Sequence, residues 1–493
     1  MKILPKTHPA AWVTRFLLLV SLSAHAAGEV RLAFPSPGGQ PGLITEYHLD
    51  GERAPDHALL QQVDPERMAL ELMELLALPS RSCREGALVA GAKARLESAG
   101  AALGIQVQID DLPARHKLLS EVEKADLSCD QGKTAPESGN LVAVVPGNRD
   151  LPSWNLSFHL DTNQIKFDGM HRDGDTIRSA PGTPLGGDDK AGLAIVLEML
   201  RVIAAAGIEH GPIYVVGMVA EEDSAVGARL IAAEAMAGDI VVSLDGGDPT
   251  EIAHAAPTAY RGFITIRTQT SHPAAIHDKK SVSACAVGAR FLDRAGFRPE
   301  GYPPDHPNVI LHSYFTSCGI DGGRTTLKGE PIADYQYNSI SPFWTAAWQM
   351  RNLEGPVAAA EMVAGLRATL DRICAEAAQD RTPVQCEMEG TDKPGLTGYV
   401  VDKNAPALRL LATGYRNAGN NPKITARQFG GFNGNYIKER FGLEMLLLGT
   451  GGDQAHTNEE TVSVQGMATV ARSVLASMLE SWRYRRINQS RND

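Results

Sequence analysis

Hydrophobic residues along the chain follow two periods, which predict an alternation of helices and strands. Residues 65–78, residues 85–99 and the stretch after Lys190 carry apolar side chains at helical spacing. Alternating or continuous apolar runs predict strands at residues 105–109, 140–145, 154–158, 213–219, 239–244 and 445–448. Helices and strands that alternate in this way favour a layered α/β domain.

One predicted strand carries candidate chemistry at its end. Trp154, Leu156 and Phe158 alternate with polar residues, and the strand then delivers His159 and Asp161 to its C-terminal end. Open α/β sheets bind ligands at such strand ends. A histidine beside an aspartate is a common pairing of a metal ligand with the carboxylate that orients it. Taken alone, the pair also fits a structural histidine beside a helix-capping aspartate.

Further acidic residues lie at neighbouring strand and helix boundaries, namely Asp188, Asp189, Glu221, Glu222 and Asp245. Each is weak evidence alone, because acidic residues often cap helices. Together they would place several carboxylates in a small volume, where they repel one another unless cations neutralise them. Histidine with carboxylates and no thiolate suits zinc, cobalt or manganese in a hydrolytic centre.

Composition and charge limit the class of protein. The chain has 493 residues, 43% of them hydrophobic, and a formal net charge of −11. These values indicate a globular protein of more than one domain. The acidic balance argues against nucleic acid as a partner.

The N-terminal residues predict export. Residues 16–23 form a short apolar run, preceded by Lys2, Lys6 and Arg15 and followed by Ala24-His25-Ala26. This is the layout of a secretory signal peptide over residues 1–26, and the run is too short to span a bilayer. We therefore expect a periplasmic or secreted protein without a membrane anchor. The alternative is a mis-assigned start codon and a cytoplasmic chain.

Six cysteines are scattered along the chain, without a CxxC motif or a Cys/His cluster. An even number in an exported protein permits disulfides. Cys374 with Cys386, or Cys83 with Cys129, are candidate pairs, and the spacing does not decide between them.

Five motifs in order resemble those of the M20 family of dizinc peptidases, most closely its peptidase T type. They are HLDT at 159–162, LGGDDKAG at 185–192, AEE at 220–222, SLDGG at 243–247 and GTGGDQAHTNEE at 449–460. The resemblance covers roughly residues 65–482. It implies a three-layer α/β catalytic domain of the zinc-exopeptidase type, with a mixed, mostly parallel sheet, and an inserted α+β lid domain.

The resemblance also implies two divalent metal ions, with zinc expected, held by His159, Asp188, Glu222, Asp245 and His456. Asp188 would bridge both ions. Asp245 would bind the ion shared with His159, and His456 would complete the other site.

Other residues receive implied roles outside the ligand set. Glu221 would be the general base, Asp161 would orient His159, and Asp189 would cap the following helix. In the lid, His272 matches a histidine that stabilises the oxyanion in relatives, sometimes across a dimer interface. Arg351 lies where the family has a lid arginine, but the match is loose.

The motifs predict a domain organisation. Residues 27–64, rich in Pro and Gly, read as an extended N-terminal arm packed on the surface. Residues 65–258 and 391–493 would form the catalytic domain, and residues 259–390 the lid or dimerisation domain. Within the lid, the pattern predicts strands at 261–270 and 383–388 and helices at 281–295 and 355–376.

The expected activity is hydrolysis of the amide bond of short peptides, in the manner of an aminopeptidase or tripeptidase. Phe429 stands where the peptidase T type has a carboxylate-binding arginine, and Arg427 lies two residues away. A carboxypeptidase, a dipeptidase or an N-acyl amino acid amidohydrolase on the same centre is therefore the alternative. A catalytically silent peptide-binding protein is the alternative of another class. The resemblance further implies that two copies pair.

Overall fold

A computed structural model describes most of the chain. The described residues are 31–35, 44–50, 55–129, 134–163, 169–269, 271–272, 274, 277–296, 340–426 and 430–487, together with the backbone of 308–317. The predicted signal peptide, residues 1–26, lies outside them, as do Arg427 and Phe429.

Strands are numbered in chain order. They are β1 (Arg31–Pro35), β2 (Ile44–Leu49), β3 (Gln106–Ile109), β4 (Leu141–Val145), β5 (Trp154–His159), β6 (Met170–Asp173), β7 (Thr176–Ser179), β8 (Ile213–Met218), β9 (Ile240–Gly246), β10 (Glu251–Ala253), β11 (Ala255–Ala256), β12 (Thr258–Arg267), β13 (Asn308–Ser317), β14 (Phe343–Asn352), β15 (Gln385–Met388), β16 (Tyr399–Val400), β17 (Lys423–Thr425), β18 (Leu446–Gly449), β19 (Gly452–Asp453), β20 (Thr461–Ser463) and β21 (Tyr484–Arg486).

Helices are numbered in the same way. They are α1 (Pro65–Leu76), α2 (Gly86–Ala99), α3 (Leu112–Lys117), α4 (Glu121–Asp126), α5 (Gly187–Ala206), α6 (Val226–Leu230), α7 (Ala284–Arg294), α8 (Pro356–Ala378), α9 (Pro406–Asn417), α10 (Asn433–Phe441) and α11 (Val464–Ser481). Short 3-10 helices span His57–Gln62, Ala101–Leu103 and Ala233–Met236.

The centre of the molecule is an eight-stranded mixed sheet in the order β17-β10-β18-β9-β5-β8-β4-β3. The neighbours β18, β9, β5 and β8 run parallel, while β4 and β3 extend the sheet in antiparallel pairing. Trp154, Leu156 and Phe158 of β5 are almost fully buried, because β5 is flanked by strands and α5 packs against it. Parallel strands covered by helices carry apolar side chains on both faces, which explains the continuous apolar runs in the sequence.

The lid has its own sheet and core. Its four antiparallel strands follow the order β13-β14-β12-β15. Trp344, Trp348, Ile264, Phe291 and Leu370 are buried in a hydrophobic cluster that joins β12, β14, α7 and α8. This cluster is separate from the core of the larger domain, which is typical of an inserted domain with its own fold.

The two connections between the domains lie side by side. β11 leads into the lid, β16 leads out of it, and the two strands pair with Ala255 opposite Val400. Backbone and side-chain hydrogen bonds between His254 and Val401 extend this pairing. The chain therefore enters and leaves the lid at neighbouring positions.

The N-terminal segment adds strands to the larger domain. β1 pairs with β2, and β2 pairs with the C-terminal strand β21. Phe34 and Tyr47 are buried in the main core, although the sequence shows little periodicity there. The described strands of this segment are thus part of the larger domain, and Phe34 and Tyr47 pack inward.

The structure forms both candidate disulfides, Cys83–Cys129 and Cys374–Cys386. No described helix combines the length and the apolar composition that crossing a membrane requires.

The predicted α/β fold with a large mixed sheet and an inserted lid is confirmed. The predicted helices and strands of both domains are present to within a few residues. β14 was not predicted from the sequence, although its residues Trp344, Ala346, Trp348 and Met350 are buried at alternate positions.

Candidate metal centre and active site

The candidate site forms where the parallel strands of the central sheet end. His159 is the last residue of β5, Asp245 lies near the end of β9, and Glu221 follows β8 after a short turn. The loop after β18 carries His456. Because these strands are parallel neighbours, their carboxyl ends share one edge of the sheet, and the side chains converge there.

Asp188 lies between the two histidines. Its Oδ1 is 3.2 Å from Nε2 of His159, and its Oδ2 is 3.2 Å from Nε2 of His456. It precedes the regular part of α5, and its φ and ψ angles are not helical. One carboxylate that faces two imidazoles with separate oxygens has the geometry required of a ligand shared by two ions.

The two sides of Asp188 carry different partners. On one side, Oδ1 of Asp245 lies 3.7 Å from Nε2 of His159, which is almost fully buried. On the other side, Oε1 of Glu222 lies 2.6 Å from Nε2 of His456, whose side chain is half exposed. The structure therefore brings all five predicted ligand side chains together in two groups that share Asp188.

Asp161 connects His159 to the turn that carries the predicted base. Nδ1 of His159 lies 3.0 Å from the carbonyl oxygen of Asp161 and 3.4 Å from its Oδ1. The same carboxylate accepts hydrogen bonds from the backbone amides of Glu221, at 2.8 Å, and Glu222, at 2.9 Å. Asp161 thus fixes the orientation of His159 and the position of both glutamates.

Asp189 has a different environment from Asp188. Its oxygens accept backbone N–H bonds from His159 and Gly192, both at 3.2 Å, although one of them also lies within 4.8 Å of ligand atoms of His159 and Asp245. We assign it a structural role, because both of its oxygens bind backbone amides. Gly192 lies in the first turn of regular helix, where a carboxylate acts as a cap.

Glu460 holds the loop that presents Asp188. Its carboxylate accepts the backbone N–H groups of Gly186 and Asp188, both at 2.9 Å, and its side chain is buried. Lys190 is also buried, and its ammonium group donates to the carbonyl oxygen of Leu78. Glu460 thus supports the loop directly, whereas Lys190 ties the start of α5 to Leu78, and the sequence motifs gave neither residue a role.

The electrostatics of the cluster favour positive charge at its centre. Burial alone would lower the pKa of His159, but Asp161, Asp188 and Asp245 hold it well above the ordinary value. Hydrogen bonds to Asp188 and Glu222 raise the pKa of His456 to about 10. Burial raises the pKa of Glu221 well above that of a free carboxyl group. The carboxylates thus stabilise whatever cation lies between them, whether a proton or a metal ion.

The donor set fits divalent metal ions. Ligand atoms of His159, Asp188 and Glu222 lie within 4.8 Å of one another. Imidazole nitrogens and carboxylate oxygens are the donors of catalytic zinc sites and also suit manganese and cobalt. The residues present would therefore hold two ions, with Asp188 between them.

A cavity of about 640 Å³ opens beside the cluster, between the larger domain and the lid. Its wall on one side includes Glu221, Glu222 and His456, and on the other side Arg261 and Arg351 of the lid strands. Gly430 and Gly431 also line it. A smaller cavity of about 250 Å³ lies next to Asp188 and Asp245 and is lined by Glu251 and Asp453.

Arg261 and Arg351 reach the cavity from adjacent strands. In the antiparallel pairing of β12 with β14, Ala259 faces Arg351 and Arg261 faces Gln349, and all four residues line the cavity. Residues two apart on a strand share a face, so both guanidinium groups lie on the face of the lid sheet that covers the cluster. The sequence pointed only to Arg351.

His272 does not join the cluster. It lies in an exposed loop after β12, where its Nδ1 accepts the backbone N–H of Ala274 at 3.1 Å. It is not among the described residues that line either cavity beside the cluster. Its role as an oxyanion donor remains a prediction from the resemblance.

Several relatives found by sequence are named peptidase T. Peptidase T from Streptococcus sanguinis is 30% identical over 328 residues, which cover 66% of this chain and 73% of that protein. YqjE from Bacillus subtilis is 26% identical over 235 residues, 47% of this chain and 57% of that protein. The match to peptidase T from Clostridium acetobutylicum spans 54% of that protein, so the chain covers little more than half the length of these last two relatives.

Solved structures show the same fold. The aminopeptidase PepT from Bacillus cereus superposes with a TM-score of 0.67 at 22% identity, covering 85% of this chain and 99% of that chain. A tripeptidase from Staphylococcus aureus gives 0.66 at 22% identity, with coverage of 86% and 100%. The model of peptidase family M20/M25/M40 matches residues 156–480, and the chain therefore belongs to this family.

Proposed function

We propose that the chain is a metal-dependent peptidase that hydrolyses the amide bond of short peptides. The observation that carries this proposal is the position of Asp188 between His159 and His456, with Glu221 beside them on the wall of the larger cavity. The peptidase names of the relatives support the same reaction. A silent binding protein would have no use for a carboxylate at position 221.

The roles of the residues follow from their positions. Two divalent ions, when bound, would polarise the scissile carbonyl group and lower the pKa of a water molecule. The carboxylate of Glu221 would accept the proton of that water and pass it to the leaving amine. Asp161 would keep Glu221 in place by accepting its backbone N–H. The lid would exclude bulk water from the cavity.

Zinc is the metal that we propose. The donors are two imidazoles and three carboxylates, and the ligand set contains no thiolate. This composition suits zinc in a hydrolytic centre but also accommodates cobalt and manganese. Elemental analysis of the protein purified without added metal would identify the ion, with about two equivalents expected per chain.

The larger cavity suits a substrate with an anionic group. Arg261 and Arg351 line the same cavity as Glu221, and guanidinium binds carboxylate through paired hydrogen bonds. Gly430 and Gly431, which directly follow Phe429, line the same cavity. Arg261 can therefore supply, from the lid, the positive charge that Phe429 lacks.

This arrangement also supports a second candidate function on the same centre. A carboxypeptidase, a dipeptidase or an N-acyl amino acid amidohydrolase also needs a cation for the substrate carboxylate, at a different distance from the cleaved bond. The presence of Arg261 and Arg351 on the wall of the cavity that Glu221 also lines favours these activities as the alternative to an aminopeptidase or tripeptidase.

One experiment tests the proposal and separates the alternatives. A tripeptide, an N-acyl amino acid and a C-terminally amidated peptide are incubated with the metal-loaded protein, and the products are identified by mass spectrometry. Glu221→Gln is the matched control, because the amide keeps the shape but cannot take up the proton; we expect kcat to fall about a thousandfold while the metal content is retained. If the variant hydrolyses the substrates as fast as the wild type, Glu221 is not the general base. If neither protein hydrolyses any of the three substrates, the proposed activity is wrong.

We also propose export to an oxidising compartment. The signal-peptide pattern at residues 1–26 and the Cys83–Cys129 and Cys374–Cys386 disulfides support it, because disulfides persist mainly outside the cytoplasm. Sequencing the N-terminus of the mature protein tests this proposal, with a start after Ala26 expected. A cytoplasmic chain that begins at Met1 would contradict it.

Pairing of two copies is our proposal for the assembly. His272 is exposed and does not line the cavity of its own chain, so it would reach a substrate only in a partner or after a lid movement. Analytical ultracentrifugation of the wild type and of His272→Ala, together with their kcat values, would test this. If the enzyme is active as a monomer, His272 does not reach the substrate of a partner chain.

A further inference from the structure

The turn that carries Glu221 and Glu222 is held from behind by a buried glutamate outside the proposed mechanism. Glu85 is fully buried, and its Oε1 accepts the backbone N–H of Ala220 at 3.0 Å and that of Cys83 at 2.7 Å. One carboxyl oxygen thus joins two segments that are distant in sequence. Ala220 is the residue directly before the proposed base.

The same segment contacts the turn by a second route. Ser82 donates its hydroxyl to Oδ2 of Asp161 at 2.6 Å, and Asp161 accepts the amides of Glu221 and Glu222. Residues 82–85 therefore support the turn directly through Glu85 and indirectly through Asp161.

The turn needs external support because its backbone is unfavourable. Ala220, Ser224 and Ala225 have φ angles of 52°, 69° and 47°, in the left-handed region that non-glycine residues rarely adopt. Such conformations persist only where surrounding contacts fix them. The contact between Glu85 and Ala220 acts on the first of these strained residues.

A disulfide holds the supporting segment. Cys83 also has a positive φ, 61°, and its side chain is joined to Cys129. Sγ of Cys129 lies 4.0 Å from the carbonyl oxygen of Asp223, which belongs to the same turn. The disulfide thus connects the segment that carries Glu85 to a second segment that touches the turn from another side.

We propose that Glu85 is a positioning residue that fixes the turn bearing Glu221 and Glu222, and that the Cys83–Cys129 disulfide holds Glu85 in place. The catalytic part of this inference rests on the function proposed above. Its structural part concerns only the turn and is measurable without turnover.

A purely local role for Glu85 does not account for its contacts. It is the residue before α2, but its side chain forms no capping bond with the first amides of that helix. Burying a carboxyl group costs free energy, and a local helix cap at the surface would avoid this cost. Burial, with a further contribution from Asp161, raises the pKa of Glu85 to about 8. A neutral carboxyl group still accepts two N–H bonds, and so does the amide of glutamine.

The first test compares Glu85→Ala with Glu85→Gln by hydrogen exchange of residues 220–225, followed by mass spectrometry of peptides. Glu85→Ala removes the acceptor, so we expect exchange in this turn to rise about tenfold, whereas Glu85→Gln should stay near the wild type. Glu198→Ala is the matched control, because Glu198 is equally buried in the same domain but binds Asp64 and Arg67. It should not change exchange in the turn.

Kinetics provide the second measurement. Because Glu221 acts in the chemical step, Glu85→Ala should lower kcat about tenfold or more with little change in KM, and Glu85→Gln should restore most of kcat. If Glu85→Ala leaves exchange in the turn at the wild-type value, or if Glu85→Gln raises it equally, the inference is wrong. If the wild type hydrolyses no peptide but the variants show the expected exchange differences, the proposed function is wrong and the positioning role of Glu85 still holds.

The disulfide is tested with paired variants. Cys83→Ser with Cys129→Ser should raise exchange in residues 220–225 about tenfold. Cys374→Ser with Cys386→Ser removes the lid disulfide and should leave that turn unchanged. This comparison also decides the matter if Glu85→Ala does not fold. Equal exchange in the two paired variants would show that the Cys83–Cys129 bond does not hold the turn.

Discussion

Glu222 and His456 approach to 2.6 Å between Oε1 and Nε2, although one follows a central strand and the other lies in the last third of the chain. The contact closes one half of the candidate metal centre. Asp188 joins this half to the half that contains His159. Replacing Glu222 or His456 should therefore affect one metal site more than the other.

Replacing His456 with alanine should remove one ion and leave the site around His159 and Asp245. We expect the bound metal to fall from about two to about one equivalent per chain, with a loss of hydrolysis of about a hundredfold or more. Elemental analysis and the peptide assay measure the two effects. Retention of two equivalents by the variant would remove His456 from the ligand set.

Metal binding should release protons, and the affinity should therefore rise with pH. Asp188 and Glu222 raise the pKa of His456 to about 10 in the protein without metal, so this imidazole carries a proton that an ion must displace. Between pH 6 and 8 we expect the metal Kd to fall about tenfold per pH unit for each proton displaced. Titration calorimetry in buffers of different ionisation enthalpy counts the protons. A Kd that does not change with pH would contradict this prediction.

The same protonation has a consequence for stability without metal. A histidine whose pKa is raised in the folded state stabilises the fold fully below its unfolded pKa of 6.5, and the effect disappears as the pH rises through about 10. After chelation, wild type should therefore lose stability towards alkaline pH relative to His456→Ala. Urea unfolding at pH 6 and pH 9 compares the two proteins.

The raised pKa of Glu85 predicts a second effect of pH on the stability of the fold. Burial raises its pKa from 4.5 to about 8, so the folded protein binds a proton that the unfolded chain has already released between these values. Stability must fall as the pH rises through this interval, by at most about 1.4 kcal/mol per pH unit. Glu85→Gln cannot titrate, so its stability relative to the wild type should increase from pH 5 to pH 8. If the difference in unfolding free energy between the two proteins is the same at every pH, the pKa of Glu85 is not raised.

The strand pattern predicted part of the metal cluster, because three of the five ligands lie close behind apolar runs. His159, Glu222 and Asp245 lie at or just after the ends of buried strands, and neighbouring parallel strands bring such positions together. The resemblance to the M20 family, and not the strand pattern, distinguished Asp188 from Asp189, and the structure gives Asp189 two backbone N–H donors. Local patterns were sufficient for these three ligands, because the topology of the sheet adds the long-range contacts, whereas Asp188 and His456 were assigned through the family resemblance.

Other parts of the site depend on contacts that no local pattern contains. Glu85 reads as an ordinary residue before a helix, and only its approach to Ala220 gives it a role. Arg261 reads as an exposed strand residue, and its position on the cavity wall depends on how the lid covers the cluster. For His272 the resemblance implied a role at the substrate, yet the residue is exposed and is not among the described residues that line the cavity. Residues whose role depends on contacts between distant parts of the chain, within one domain or between the two, were therefore the ones that the sequence left undecided.

The last prediction concerns the end of the substrate that the cavity recognises. Arg261 lines the cavity, and Arg351 lies on the adjacent strand of the same sheet. If Arg261 binds a carboxylate of the substrate, Arg261→Gln should raise KM about tenfold for a peptide with a free C-terminus. It should change KM little for the same peptide with an amidated C-terminus, because the amide offers no charge. Arg290→Gln is the control, since Arg290 lies on the lid helix α7, pairs with Glu376 and is not among the residues lining the cavity. An equal rise for both peptides would mean that Arg261 shapes the lid without reading the carboxylate, and the recognition proposed here would then be wrong.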